Sequence, residues 1–247
     1  MTLGDVLFLF VIFLASFVPT VAALIWLRWG ERGRKERWED LLRTFLFGAV
    51  VAAVIATVLE LVATTILFNP VVREYEYFAQ DPTLLTFIAI ILIAPVIEEY
   101  VKALGVKSFS RYIWRPRNGL LFGAAAGLGF AATENFLYES TAYFEEGFRA
   151  FVVVALVRSL SSTLMHASAT SISGYGVARA KTYGGPWWPY LVVAVVMHAL
   201  FNLFASFGLL FADRFGPAAE TTGLVFSIVL VIVAVLFIRW RLHGYHA

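Results

Sequence analysis

Five apolar stretches of the sequence carry ionisable or amide side chains near their middle. One of them is IAPVIEEYVKAL, residues 93–104, in which Glu98, Glu99 and Lys102 stand between almost purely apolar flanks. Such groups cost at least about 2.5–3.5 kcal/mol each inside a bilayer, so each is a functional candidate. Carboxylates, histidines and an asparagine together suit a proton relay, a metal site or a glutamate–histidine hydrolytic site. The other members of the set are Glu60, Glu134, Asn135, Arg158, His166, His198 and Asn202.

Helical spacing places several of these groups on common faces. Glu98 and Lys102 are four residues apart, in the order that favours an ion pair. Glu98 and Glu99 differ by about 100° around a helix, so we expect one to carry chemistry and the other to hold structure or to be solvated. Glu98 is favoured as the base because it is in register with Lys102. The same four-residue spacing relates His198 to Asn202, Phe130 to Glu134, and Arg158, Ser162, His166 and Thr170 in succession.

The composition indicates a membrane protein. Of the 247 residues, 60% are hydrophobic and 15% are charged, and the mean hydropathy is +0.80; soluble domains have about 45–50% apolar and about 25% charged residues. We therefore predict an all-α polytopic protein with a single membrane domain over residues 1–247 and a polar site within spans 3–6. Cysteine is absent, which excludes disulfides, thiolate metal sites and a cysteine nucleophile. The predicted spans are 3–28, 43–68, 83–106, 118–139, 149–178, 186–211 and 218–240.

Charge asymmetry between the loops predicts the orientation. Basic residues concentrate in the first, third and fifth loops and in the carboxyl-terminal tail, whereas the even loops hold only Arg73, Arg149 and Arg214. The positive-inside rule then places the amino terminus outside and the carboxyl terminus in the cytoplasm. For Glu60, alone in its span, and for Arg158, near the outer end of its span, a packing or snorkelling role is favoured.

Four short motifs carry a family resemblance. EEYVK (98–102), FAATE (130–134), His166 in MHA and HALFN (198–202) follow one another on successive spans. Together they resemble the EExxK, FxxxE, single-histidine and HxxxN patterns of the PrsW family of intramembrane proteases. That family is similar in turn to the CAAX-type prenyl endopeptidases and their bacterial Abi relatives, which have FxxxH where this chain has a glutamate.

The resemblance implies an activity and a location. It implies peptide-bond hydrolysis within or near the bilayer of a prokaryotic plasma membrane. The substrate would be a single-pass membrane protein such as an anti-sigma factor, cut on the outer side, and no nucleic acid would be bound. PrsW proteases are commonly classed as metallopeptidases, and glutamate–histidine catalysis without a metal is also argued for their relatives.

The candidate residues fit either form of catalysis. Glu98 or Glu99 would act as general base for water, with Glu98 favoured. Asn202, one turn from His198, could donate to the developing oxyanion. His166 would act with His198, either ligating a zinc ion or holding and polarising the water.

A zinc site would need at least one carboxylate beside the histidines. We expect Glu134, His166 and His198 as ligands, with Glu98 or Glu99 as a further candidate. Glu134 could instead orient a histidine without touching the metal. Lys102 and Arg158 would support the site. The sequence contains no HExxH motif, the usual zinc signature of soluble proteases. It also contains no GxSxG motif, which disfavours serine catalysis.

Two other functions stay open from the residues alone. The same carboxylates and histidines could form the proton pathway of a transporter or channel, although no internal repeat supports a transporter fold. The chain could also be a membrane scaffold that keeps these residues without activity.

Overall fold

The computed structural model describes residues 3–31, 34–74 and 82–243. Within these ranges the regular structure is entirely helical, and seven helices are long and apolar enough to cross a membrane. The predicted all-α architecture of seven spans is therefore confirmed, whereas the assignment of one membrane domain to the whole chain stays a prediction. The spans are Gly4–Trp29, Trp38–Ile66, Leu84–Ser108, Pro116–Glu146, Phe148–Tyr183, Trp188–Ala205 and Ala218–His243.

Several spans consist of more than one helical segment. Span 1 lies in helix Leu3–Trp29, span 4 in Pro116–Glu146, span 6 in Trp188–Ala205 and span 7 in Ala218–His243. Span 2 joins Trp38–Leu46, a π turn at Phe47–Ala52 and Ala53–Glu74. Span 3 joins Pro82–Ile88, a π turn at Ala89–Ile93 and Ala94–Ser108. Span 5 joins Phe148–Leu160 and Ser162–Tyr183, and short helices lie at Ser110–Tyr112 and Phe207–Phe215.

Several boundaries differ from the sequence prediction; span 4, for example, ends at Glu146 and span 5 at Tyr183, beyond the predicted 139 and 178. Span 2 begins at Trp38, five residues earlier than expected, and its helix continues to Glu74, so the predicted loop at 69–82 is partly helical and its residues 75–81 lie outside the described ranges. Span 5 is interrupted at Ser161. Span 6 ends at Ala205, because the chain turns into the separate helix Phe207–Phe215.

Span 4 is the central helix of the bundle. Of the residues in its most apolar 18-residue segment, 78% are buried, against 22–39% in the corresponding segments of the other spans. Gly123 and Gly127 let the helix approach the second half of span 5 closely: a Cβ on Gly127 would lie 2.2 Å from the carbonyl oxygen of His166, and one on Gly123 would lie 2.1 Å from that of Thr170. Gly129 approaches the backbone of span 2 in the same way. Small residues at helix contacts allow such close approach in membranes. Here they set the position of His166 on span 5.

Enlarging Gly127 is expected to force spans 4 and 5 apart. Gly127→Val should destabilise the fold by about 1–3 kcal/mol, the usual effect of overpacking a tight contact, and should lower the midpoint of thermal unfolding in detergent. Ala212→Val, at an exposed position, is the matched control and should unfold like the unsubstituted protein. Equal midpoints for the two variants would contradict the close contact.

Candidate active site

Spans 2 to 6 enclose a cavity of about 400 Å³. Polar side chains from all five spans line it. The site thus includes the predicted spans 3–6 and also span 2. Its polar lining consists of Glu60, Thr64, Glu98, Glu134, Tyr138, Arg158, Ser162, His166, Asn202 and Ser206.

The two adjacent glutamates of span 3 face different partners. Glu98 lines the cavity. Glu99 is fully buried behind it and accepts hydrogen bonds from Thr170 Oγ1 (2.9 Å) and Lys102 Nζ (2.6 Å). Its Oε1 also lies 3.0 Å from Nδ1 of His198. Glu99 therefore holds neighbouring side chains in place, while Glu98 faces the cavity.

Lys102 lies at the centre of the cluster with none of its surface exposed. Its Nζ is 2.6 Å from Glu99 Oε1, 3.3 Å from Glu98 Oε2 and 2.9 Å from His166 Nδ1. The same ammonium lies 4.4 Å from the centre of the Phe130 ring, close enough for a cation–π contact. The spacing predicted an ion pair between Lys102 and Glu98; the structure has that pair, but the closer partner is Glu99.

Glu134 meets the cluster on the opposite side of the His166 ring. Its Oε2 lies 2.7 Å from His166 Nε2 and accepts a hydrogen bond from Arg158 Nη2 at 2.8 Å. Arg158 also donates to the side chains of Asn135 (2.8 Å) and Ser162 (3.0 Å). Arg158 was expected to support the site, with a packing or snorkelling role favoured, and its bond to the carboxylate of Glu134 places it in the cavity lining.

Two histidines and one carboxylate form a group that could hold a metal ion. Donor atoms of Glu98, His166 and His198 lie within 4.8 Å of one another, and all three residues are buried. Glu98 Oε2 is 3.9 Å from His166 Nδ1 and 4.0 Å from His198 Nε2. On each histidine the other ring nitrogen faces a carboxylate, as described above. A ring that donates to such a carboxylate keeps a lone pair on its other nitrogen, the atom that belongs to the donor group.

The structure brings all the predicted site residues to one region of the bundle. Glu134 joins through its contact with His166. It lies beside the donor group and is not part of it. Asn202 lines the cavity and donates to the backbone carbonyl oxygen of Ile90 at 2.8 Å.

Two cavity residues were missed or misjudged from the sequence. Glu60 was expected to pack or snorkel, yet it faces the cavity from span 2. Tyr138 was not considered; its ring lies 4.0 Å from the guanidinium of Arg158. Its position one turn after Glu134 was the signal that could have identified it.

A buried cluster of carboxylates and histidines beside a cavity, within a protein of seven spans, is an arrangement suited to a membrane-embedded hydrolase. The family model of PrsW intramembrane metalloproteases matches residues 36–238, and the chain therefore belongs to that family. The chain is also similar to Protease PrsW of Clostridioides difficile (strain 630), at 24% identity over 237 residues that cover 94% of this chain and 88% of that protein. No solved structure matches the chain. The predicted family and enzyme class, a PrsW-type intramembrane protease, are confirmed, and the family is described as one of metalloproteases.

Removing the Arg158 guanidinium is expected to release Glu134 and the His166 ring. Arg158→Met leaves a largely buried carboxylate without its cation, so stability should fall by about 1–3 kcal/mol and cleavage of a membrane-anchored reporter should be lost. Arg158→Lys should recover little, since one ammonium cannot make the divergent bonds of a guanidinium. Arg149→Met, at an exposed position of the same helix, is the control. An Arg158→Met variant with normal unfolding and normal cleavage would contradict this role.

Proposed function

We propose that the chain hydrolyses a peptide bond of a single-pass membrane protein at a metal centre held by Glu98, His166 and His198. The observation that carries the proposal is the convergence of these three donors beside a cavity, with a carboxylate behind each histidine ring. Buried carboxylate–histidine pairs of this kind orient metal ligands and make them more basic. Two histidines and one carboxylate, with a position left for water, are a donor set of catalytic zinc sites. Zinc is therefore the proposed ion.

The charges of the site favour a divalent cation. Four carboxylates belong to the cluster or its cavity: Glu60, Glu98, Glu99 and Glu134. Among the described residues, the cations in contact with them are Lys102 and Arg158. If all four carboxylates are ionised, two negative charges remain, and uncompensated charge inside a membrane protein is costly. A divalent ion would compensate them.

Lys102 is the main constraint on metal binding. Its ammonium lies 2.9 Å from His166 Nδ1, the nitrogen that belongs to the donor group. One lone pair cannot serve both an ammonium and a metal ion, so Lys102 would have to withdraw from His166 when a metal binds. Lys102 would then stay paired with Glu99, whose Oε1 lies 2.6 Å from its Nζ.

Each side chain has a distinct proposed task in hydrolysis. A zinc ion in this site would polarise a water molecule and the scissile carbonyl. Among the described residues the contacts of Glu98 all use Oε2, which leaves its Oε1 to accept the proton of the water. Glu99 and Glu134 hold the rings of His198 and His166.

The proposed substrate and its orientation follow from the resemblance and from the charge distribution. Lys181 of the fifth loop region donates to the backbone carbonyls of Ser110 (2.6 Å) and Ile113 (3.0 Å), so the basic third and fifth loops lie at the same end of the bundle. This end is proposed to be cytoplasmic, in a prokaryotic plasma membrane, with the amino terminus outside. Resemblance to the family makes an anti-sigma-factor-like protein the proposed substrate, cut at its outer side.

Metal analysis of purified protein tests the donor set. The unsubstituted protein should bind about one zinc ion per chain, and the His166→Ala/His198→Ala double variant should bind none, since a site with one protein donor left is too weak. His243→Ala is the matched control, because His243 lies at the end of span 7, away from the cavity lining. Equal zinc content in the double variant and the control would overturn the metal site.

Cleavage by a Glu98 variant tests the hydrolytic role, with its zinc content measured alongside because Glu98 is also a proposed ligand. Glu98→Gln should abolish cleavage of a co-expressed single-pass reporter, because the amide cannot accept the proton of the attacking water. The loss should be on the order of 10²–10⁴-fold, the usual contribution of general acid–base catalysis. Glu220→Gln, on span 7 outside this cavity, should cleave normally. A Glu98→Gln variant that cleaves as fast as this control would contradict the assignment.

A further inference from the structure

Span 3 is interrupted one turn before Glu98. Residues Ala89–Ile93 form a π turn, in which each amide bonds to the carbonyl five residues earlier. The last amide of this pattern is that of Ala94, which donates to the carbonyl oxygen of Ala89. The next donor in the series would be the nitrogen of residue 95 and its acceptor the carbonyl oxygen of Ile90.

Residue 95 is a buried proline, which has no backbone N–H. The carbonyl oxygen of Ile90 therefore lacks the donor that the π turn would supply. Nδ2 of Asn202, on span 6, lies 2.8 Å from this oxygen and donates to it. The side chain thus supplies a donor that neither Ala94, whose amide bonds to Ala89, nor Pro95 offers this oxygen, in a region where an unsatisfied carbonyl is costly.

We propose that Asn202 is a positioning residue that holds the π turn before Pro95 and thereby sets the direction of Glu98. A π turn accommodates one residue more than an α-helical turn, so its loss would rotate the following helix by about 100° relative to the preceding one. Such a rotation would carry Glu98 away from the two histidines. This role rests on the proposed function in one respect: it takes Glu98 to be the reacting carboxylate.

The position of Asn202 on span 6 supports this role. Asn202 lies one turn after His198, whose Nδ1 is 3.0 Å from Glu99 Oε1. The two hydrogen-bond contacts described here join spans 3 and 6 on either side of Pro95. Together they fix both the rotation and the separation of the two helices that carry Glu98 and His198.

A double-mutant cycle between Asn202 and Pro95 tests the proposal. Pro95→Ala restores an N–H at residue 95, so the side chain of Asn202 should no longer be required. Asn202→Ala is expected to slow reporter cleavage by about tenfold in the unsubstituted background, as the loss of one hydrogen bond that positions a reacting group would. In the Pro95→Ala background the same substitution should slow cleavage by less than about twofold. The midpoint of thermal unfolding should follow the same pattern.

Pro189→Ala is the matched control, since Pro189 lies at the start of the span 6 helix, away from Ile90. In that background Asn202→Ala should retain its full effect. If Asn202→Ala is equally harmful to cleavage with and without Pro95, Asn202 acts on the reacting atoms and the proposal is overturned. The unfolding midpoint separates this result from a failure of the proposed function. If no variant cleaves the reporter but Pro95→Ala removes the effect of Asn202→Ala on the midpoint, the positioning role stands and the hydrolytic assignment fails.

Discussion

The burial of one ammonium group governs the arrangement of the site. Lys102 has no exposed surface, and a charge in that position must be compensated by the protein itself. Glu98, Glu99 and the ring of Phe130 supply this compensation, and His166 accepts a further hydrogen bond. Because Lys102 touches residues from spans 3, 4 and 5 at once, the separations of these helices are fixed by its contacts. The EExxK and FxxxE motifs thus describe one physical unit.

The backbone of the bundle is built to let these contacts form. The glycines of span 4 remove the side chains that would keep span 5 at a distance, so that His166 lies against both Glu134 and Lys102. Two interruptions of the helical backbone, in spans 5 and 3, also position these side chains. The break at Ser161 follows Arg158 and precedes the helix with His166, and the π turn precedes Glu98. Irregular backbone in a membrane protein is tolerated where it lines a cavity, which is its place here.

Much of the fold and the membership of the site could be predicted from particular residues. Long apolar segments must cross the bilayer, so the seven spans followed from hydropathy, and ionisable groups within them were few enough to single out. The helix ends at Trp38 and Ala205 could not be predicted in the same way, because the apolar pattern does not change there. The position of Glu60 was misjudged for a related reason. An ionisable residue near a span end can snorkel or turn inward, and only its neighbours on other helices decide which.

The sequence by itself determined the class of protein, the spans that carry polar groups and the faces shared along each helix. It also determined that Glu98 and Glu99 must point apart, since helical geometry alone requires it. Only the tertiary structure decided that Glu98 faces the cavity while Glu99 holds His198 and Lys102. It likewise decided that Asn202 bonds to a backbone carbonyl of span 3. The physical reason is that periodicity fixes directions within one helix, whereas contacts between helices depend on their rotation and separation, which packing and interruptions set.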